Sequence, residues 1–367
     1  MVERLLYPVC RTHIDELGDE MGVWQHAIGA RPNRAFGYCT DDVARALEVD
    51  LLHSRVLGWG AVEASAWRSM AFLAAAFNAR RGRFRNFRSA GGEWLEEIGS
   101  EDCHARALLA LGIAIADAPD RRLAGEAARL FRRAQPAARA LIGLRPIAAT
   151  LLAYDAALRG DADGEVPAAF RALAGRLARA FDGLASDWPW PESVVTYENA
   201  VLPRALIAAG GRLGDESMLQ TGCEVLDWLS MTQTTNSGTL SLVGNERWWR
   251  RGESPARFDQ QPIDAASLLL ASEAALGATG TPRYRNVAEM AYGWFLGDND
   301  MSVPVAIPAT GGCHDGLTPG GVNLNQGAES TLMWLTALEH MRRLRAASRP
   351  SEAAISGPTS FAPQVST

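Results

Sequence analysis

Along most of the chain, apolar residues recur at intervals of three and four, the spacing that gathers them on one face of an α-helix. Period-two alternation bounded by turn residues, the signal of a strand ladder, stands out nowhere. The pattern predicts helices over 3–21, 41–57, 61–80, 101–117, 120–141, 146–159, 165–182, 197–210, 215–231, 261–277, 281–297 and 327–345. These make six pairs, and the connections between them alternate in length. After the second helix of each of the first five pairs the link is short (58–60, 118–119, 160–164, 211–214, 278–280). Before the second helix it is long (22–40, 82–100, 183–196, 232–260, 298–326), with 142–145 the exception. In a ring of antiparallel hairpins, alternate connections lie on opposite faces, so the long loops share one face and the second helices form an inner ring. The expected fold is therefore all-α, an (α/α)6 toroid over 1–345. Loops beyond about 15 residues are usually functional. The Ser-, Pro- and Ala-rich stretch 346–367 has no period and is expected to be disordered.

Composition narrows the function. The chain has 367 residues, 47% hydrophobic and 21% charged, enough to fold without disulfides or metal. No apolar run approaches the roughly 18 residues of a membrane span. The N-terminal stretch MVERLLYPVCRTHIDELGDE has acids where a secretion signal needs an apolar run, and five scattered cysteines suggest no disulfide framework, so a cytoplasmic protein is expected. All 36 basic residues are arginine, set against 42 acids for a net charge of -6, and no basic stripe offers a nucleic-acid surface. Eleven tryptophans are the unusual count.

Candidate chemistry gathers where the long loops enter the inner helices: GYCTDDVARAL (37–47), GSEDCHARALLALG (99–112), WPWPESVVTYENAVLP (188–203), GNERWWRRGESPARFDQQPIDAA (244–266) and GCHDGLTPGGVNLNQGAESTL (312–332). Carboxylates and amides there suit sugar hydroxyls, and indole faces suit the C–H face of a pyranose; Trp24, Trp94, Trp188, Trp190, Trp248 and Trp249 all lie in these loops. Any single acid at a helix start can be a cap favoured by the helix dipole, but capping does not require polar clusters at the same end of five inner helices. Glycosidic hydrolysis needs one protonated and one ionised carboxyl group. Asp42 and Asp102 are the first candidates, with Asp41 and Glu329 as alternates. Asp41 and Asp42 point about 100° apart, so one can face the axis while the other orients. The expected binding shell is His26, Tyr38, His104, Trp188, Trp190, Glu192, Tyr197, Glu198, Asn199, Trp248, Asp259, Gln260, Gln261, His314, Asp315, Asn325 and Gln326. The Cys103–His104 and Cys313–His314 dipeptides match no zinc-module spacing, and neither metal nor cofactor is expected. The arginines of 247–257 either clamp an anionic sugar or fill ordinary surface roles in a lysine-free chain.

At these residues the chain resembles the six-hairpin glycosidase superfamily, whose members have an (α/α)6 toroid with the cleft where the inner helices begin. More narrowly it looks like a bacterial domain found beside or fused to glycosyltransferases and in polysaccharide gene clusters, sharing GYCTDDxARAL, GSEDCHxRAL, WPWxExxxTYxNAxLPxAL, RFDQQPIxA and GCxDGLxPxGVNxNQGAES. The likeness runs from about Leu17 to about Met341. A looser likeness to toroidal endo-α-mannanases implies catalysis by an adjacent Asp pair, matching Asp41 and Asp42. Likeness to N-acylglucosamine 2-epimerases would place His104 and His314 in proton transfer, and toroidal lanthionine cyclases carry a Cys-His zinc site that Cys313 and His314 faintly match. The leading expectation is a glycoside hydrolase acting on an oligosaccharide or polysaccharide. The alternatives are a sugar 2-epimerase or isomerase and a non-catalytic glycan-binding partner of a glycosyltransferase.

Overall fold

The computed structural model describes residues 4–160 and 166–347. The expected tail lies outside these residues from 348 onward, as does most of the link expected over 160–164. Among the described residues the twelve α-helices are α1 (Thr12–Leu17), α2 (Thr40–Leu57), α3 (Glu63–Ala76), α4 (Glu101–Asp117), α5 (Arg121–Ala134), α6 (Leu144–Arg159), α7 (Val166–Arg179), α8 (Val201–Leu213), α9 (Glu216–Thr232), α10 (Pro262–Thr279), α11 (Arg283–Phe295) and α12 (Ala328–Ala346). The even-numbered helices close a ring: α2 packs on α4, α4 on α6, α6 on α8, α8 on α10, α10 on α12, and α12 back on α2. Each odd-numbered helix backs an inner one, with α1 covering α12. This is the (α/α)6 toroid, with the second helix of each expected pair on the inside. No helix among the described residues is long and apolar enough to cross a membrane.

Small residues let the inner helices approach closely. A Cβ on Gly112 of α4 would stand 2.3 Å from the Ala153 carbonyl oxygen of α6, so only glycine fits that crossing. Helix ends are set locally. Ser100 Oγ accepts from the Cys103 amide at 3.0 Å to start α4, and left-handed glycines end α8 (Gly214, φ 66°) and α10 (Gly280, φ 65°).

Three expected helices are shortened for identifiable reasons. In place of a helix over 3–21, residues 4–11 lie without helical structure across α11 and α12, where the Leu5 carbonyl accepts from Tyr292 Oη (3.0 Å) and the Tyr7 carbonyl from Arg342 Nη2 (2.7 Å). The helix expected over 120–141 narrows at Ala134 into a 3-10 turn, Gln135–Ala140, where Pro136 has no N–H to continue the α-helical ladder. The helix expected from 197 begins at Val201, because Glu198 is left-handed (φ 45°).

The long-loop face carries six two-stranded ladders of two or three residues each, too short to leave a period-two pattern in the sequence. Two of them join different loops: Tyr38–Cys39 pairs with Phe87–Arg88, and Val194–Val195 with Trp249–Arg250. A bridge between Gln260 and Leu317, and bonds from Gln326 N to Gly29 O and Ala328 N to Gln25 O, link the others. The loops thus form a connected rim around the N-terminal ends of the inner helices.

Candidate active site

Inside that rim is a cavity of about 300 Å³ lined by Asp41, Arg45, Ser100, Asp102, Arg106, Tyr197, Glu198, Asn245, Trp248, Gln261, Ile263 and Glu329. Its logic is helical. Asp41, Asp102 and Glu329 are each the second residue of an inner helix, and Arg45 and Arg106 sit one turn below Asp41 and Asp102 on the same faces. Helix N-termini converging on the cavity favour carboxylates there.

Both arginines are committed to carboxylates, with Arg45 Nε buried and unbonded. Arg45 pairs with Asp42 (3.0 Å) and Glu329 (2.8 Å), and Arg106 pairs with Glu198. Burial opposes ionisation of Glu198, but the Arg106 guanidinium outweighs it and holds the carboxyl below the usual range. Two carboxyl groups are left without a cation partner. Asp102 accepts a hydrogen bond from Tyr197 Oη at 2.8 Å. Asp41 has its Oδ1 buried with no partner, while Cys39 Sγ approaches Oδ2 at 3.7 Å. Burial, reinforced by the neighbouring Asp102 and Glu329 charges, pushes the Asp41 carboxyl upward despite Arg45 and Arg106.

Asp42 does not line the cavity; it lies behind it, 3% exposed, against Arg45, and burial raises it to about 7. Of the expected binding shell, Tyr197, Glu198, Trp248 and Gln261 line the cavity. A second group supports the loop that carries Tyr197: Arg145 donates to Tyr197 O (2.6 Å), Glu192 (2.8 Å) and Asn199 Oδ1 (3.0 Å), with its guanidinium 4.8 Å from the Tyr197 ring centroid. Asn199 in turn donates to Asp264 through Nδ2 at 3.3 Å. Backbone strain is concentrated here, since Glu198, Trp248 and Asp259 all have positive φ.

The remaining expected residues lie outside the cavity. Trp188 and Trp190 are buried with Trp228 and Trp249 in an aromatic stack, and their indoles donate to the Glu192 and Val194 carbonyls. Trp24 stacks on Tyr38 at 4.2 Å, Tyr38 donates to Asp19, and Trp94 packs on Phe72. Only Trp248 of the six loop tryptophans lines the cavity; the others build the rim that holds it. Gln260 is fully buried, bridging Arg257 O, Asp300 and the Trp294 indole. Asp315 caps the turn into α12 through Gly327 N (2.7 Å), Asn325 accepts from Gly29 N, and the Gln326 carbonyl meets His13. His26 is exposed beside Phe36, and Asp259 is exposed. His104 is fully buried against Phe84, and burial pushes it down to about 3; His314 is half-buried and outside the cavity. Among the described residues, no group of three His, Cys, Asp or Glu is arranged to hold a metal ion.

Arg45, Arg106, Ser100, Asn245 and Ile263 are cavity residues that sequence reasoning did not single out. The signal for the arginines was present: Asp41–Arg45 and Asp102–Arg106 repeat the same four-residue spacing at the starts of two inner helices.

No protein-family model matches the chain, and no curated protein sequence matches it. Solved structures do. A cellobiose 2-epimerase from Spirochaeta thermophila superposes with a TM-score of 0.69 at 17% identity, covering 89% of this chain and 91% of that one. A D-mannose isomerase gives 0.69 at 10% identity (91% and 95% covered), and a GH76 α-mannanase from Bacteroides thetaiotaomicron 0.62 at 9% (91% and 94%). The likeness shows the fold, an (α/α)6 toroid.

Proposed function

We propose that this protein is a carbohydrate-active enzyme, and specifically a glycoside hydrolase that cleaves an oligosaccharide or polysaccharide at the cavity framed by Asp41 and Asp102. The observation that carries the reading is the division among four lining carboxylates: Glu198 and Glu329 are tied to Arg106 and Arg45, whereas Asp41 and Asp102 have no cation bound to them. Asp41, pushed toward its protonated form, is the general acid that protonates the leaving oxygen. Asp102, which accepts a hydrogen bond from the Tyr197 hydroxyl, is the partner that activates water or attacks the anomeric carbon. Asp41 takes the role that sequence reasoning assigned first to Asp42, since Asp42 is screened from the cavity by Arg45. Trp248 and Tyr197 supply aromatic surface for a sugar ring, and Asn245 and Gln261 supply amides for its hydroxyls.

Sugar epimerisation is the second reading, supported by the fold likeness to an epimerase and an isomerase. Against it, His104 is walled off from the cavity, His314 lies outside it, and no histidine lines it. A functional association with a glycosyltransferase rests on the sequence motifs alone. The reading is tested by screening oligosaccharides with the wild-type chain, Asp41→Asn and Asp102→Asn. Loss of a general acid or base should lower turnover by about 10² to 10⁴.

A further inference from the structure

The toroid has a second cavity, of about 440 Å³, entered from the opposite mouth. All six inner helices line it. Its wall interleaves charged side chains with an apolar group built by Leu52, Leu109, Ile113, Leu152 and Leu270. Most of its charges are explained by the fold: Arg55 and Arg159 pair with Asp117, Arg159 also with Asp155, and Glu273 with His340 (2.5 Å). Arg55, Arg159 and Arg343 lie in the last turns of their helices, where the dipole favours a cation.

Two groups have no such explanation. Arg204 is the fourth residue of α8, in the turn where a cation is disfavoured, and among the described residues its guanidinium makes neither hydrogen bond nor ion pair. Glu48, on α2, has a buried Oε1 without a partner. They line the same cavity yet do not pair with each other. Arg204 is attracted by Glu273 and Glu48 across the cavity but bonds to neither, and the open Glu48 oxygen is buried, so both polar ends are left to be met by a ligand.

We propose that this second cavity binds a small hydroxylated oxyanion, with its anionic group on Arg204, its hydroxyl donating to Glu48 and its carbon skeleton against the leucine wall. The site is separate from the Asp41–Asp102 cavity and does not depend on the reaction carried out there. Glycerate combines both features, and acetate and glycerol supply one each. By calorimetry on the full chain, glycerate should bind at least tenfold more tightly than either. Arg204→Met should weaken glycerate at least tenfold. Glu48→Ala should bring glycerate down to the affinity of acetate, and Arg204→Lys should retain binding within a few-fold. Absence of glycerate binding, or equal binding in wild type and Arg204→Met, would overturn the proposal. Should Arg204→Met not fold, glycerate that remains tenfold tighter than acetate in Glu48→Ala would overturn it equally.

Discussion

Replacing Arg45 by Met isolates the charge balance beneath the candidate site. Arg45 is 5% exposed and Asp42 3%, so the substitution strands a buried carboxylate, whereas Glu329, with a side chain 42% exposed, can turn to water. Removing one partner of a buried pair costs about 3–5 kcal/mol. With an unfolding entropy of about 2.1 cal/mol/K per residue, a chain of this size should lose roughly 4–7 °C in Tm. The cost must depend on pH. Asp42 is raised by burial to about 7 even with Arg45 present, and without it the carboxyl rises further. A carboxyl raised in the folded state contributes most stability below its unfolded value and loses it as pH rises through the folded one. The Arg45→Met penalty should therefore be full at pH 8 and much smaller at pH 5, as read by urea unfolding. Adding Asp42→Asn should recover most of it at pH 8. Equal penalties at the two pH values, or a double variant as unstable as the two single losses summed, would refute the reasoning.

Other expectations follow from single contacts. Asp264 is raised by burial to about 7, with Oδ2 unpartnered, so Asp264→Asn should gain stability over wild type at pH 8, by up to about 4 kcal/mol, and gain none at pH 4; paired melts at the two pH values check the sign. Gly112→Ala drives a Cβ into the Ala153 carbonyl and should cost about 2 kcal/mol or more, whereas Gly125→Ala on the open face of α5 meets nothing within 4 Å and should stabilise by up to about 1 kcal/mol in the same denaturation assay. Because Arg45 and Arg106 are spent on Glu329, Asp42 and Glu198, the cavity retains the charge of Asp102 and, when ionised, Asp41. Uronate-containing or phosphorylated oligosaccharides should therefore be turned over at least tenfold less efficiently, in kcat/KM, than neutral ones of the same linkage.

The ring of helices was legible because helical periodicity and alternating loop length are both global signals. Neither depends on knowing any one contact. Where the reading slipped, a local interaction overrode the period: Pro136 ended α5, the left-handed Glu198 delayed α8, and contacts to α11 and α12 kept residues 4–11 out of a helix. The site was legible as a face but not as a set of side chains. A loop tryptophan reads the same whether it meets a sugar or, like Trp188, another indole. The choice between Asp41 and Asp42 turned on where Arg45 reaches, which the four-residue spacing hinted at without fixing.

The most direct test of the account is an oligosaccharide screen in heavy water followed by NMR, run with wild type, Asp41→Asn and Asp102→Asn. Hydrolysis at the Asp41–Asp102 cavity predicts a new reducing end, lost by a factor of about 10² or more in both variants. Deuterium appearing at a sugar C2 with the glycosidic bond intact, or cleavage within about tenfold of wild type in both variants, would contradict it.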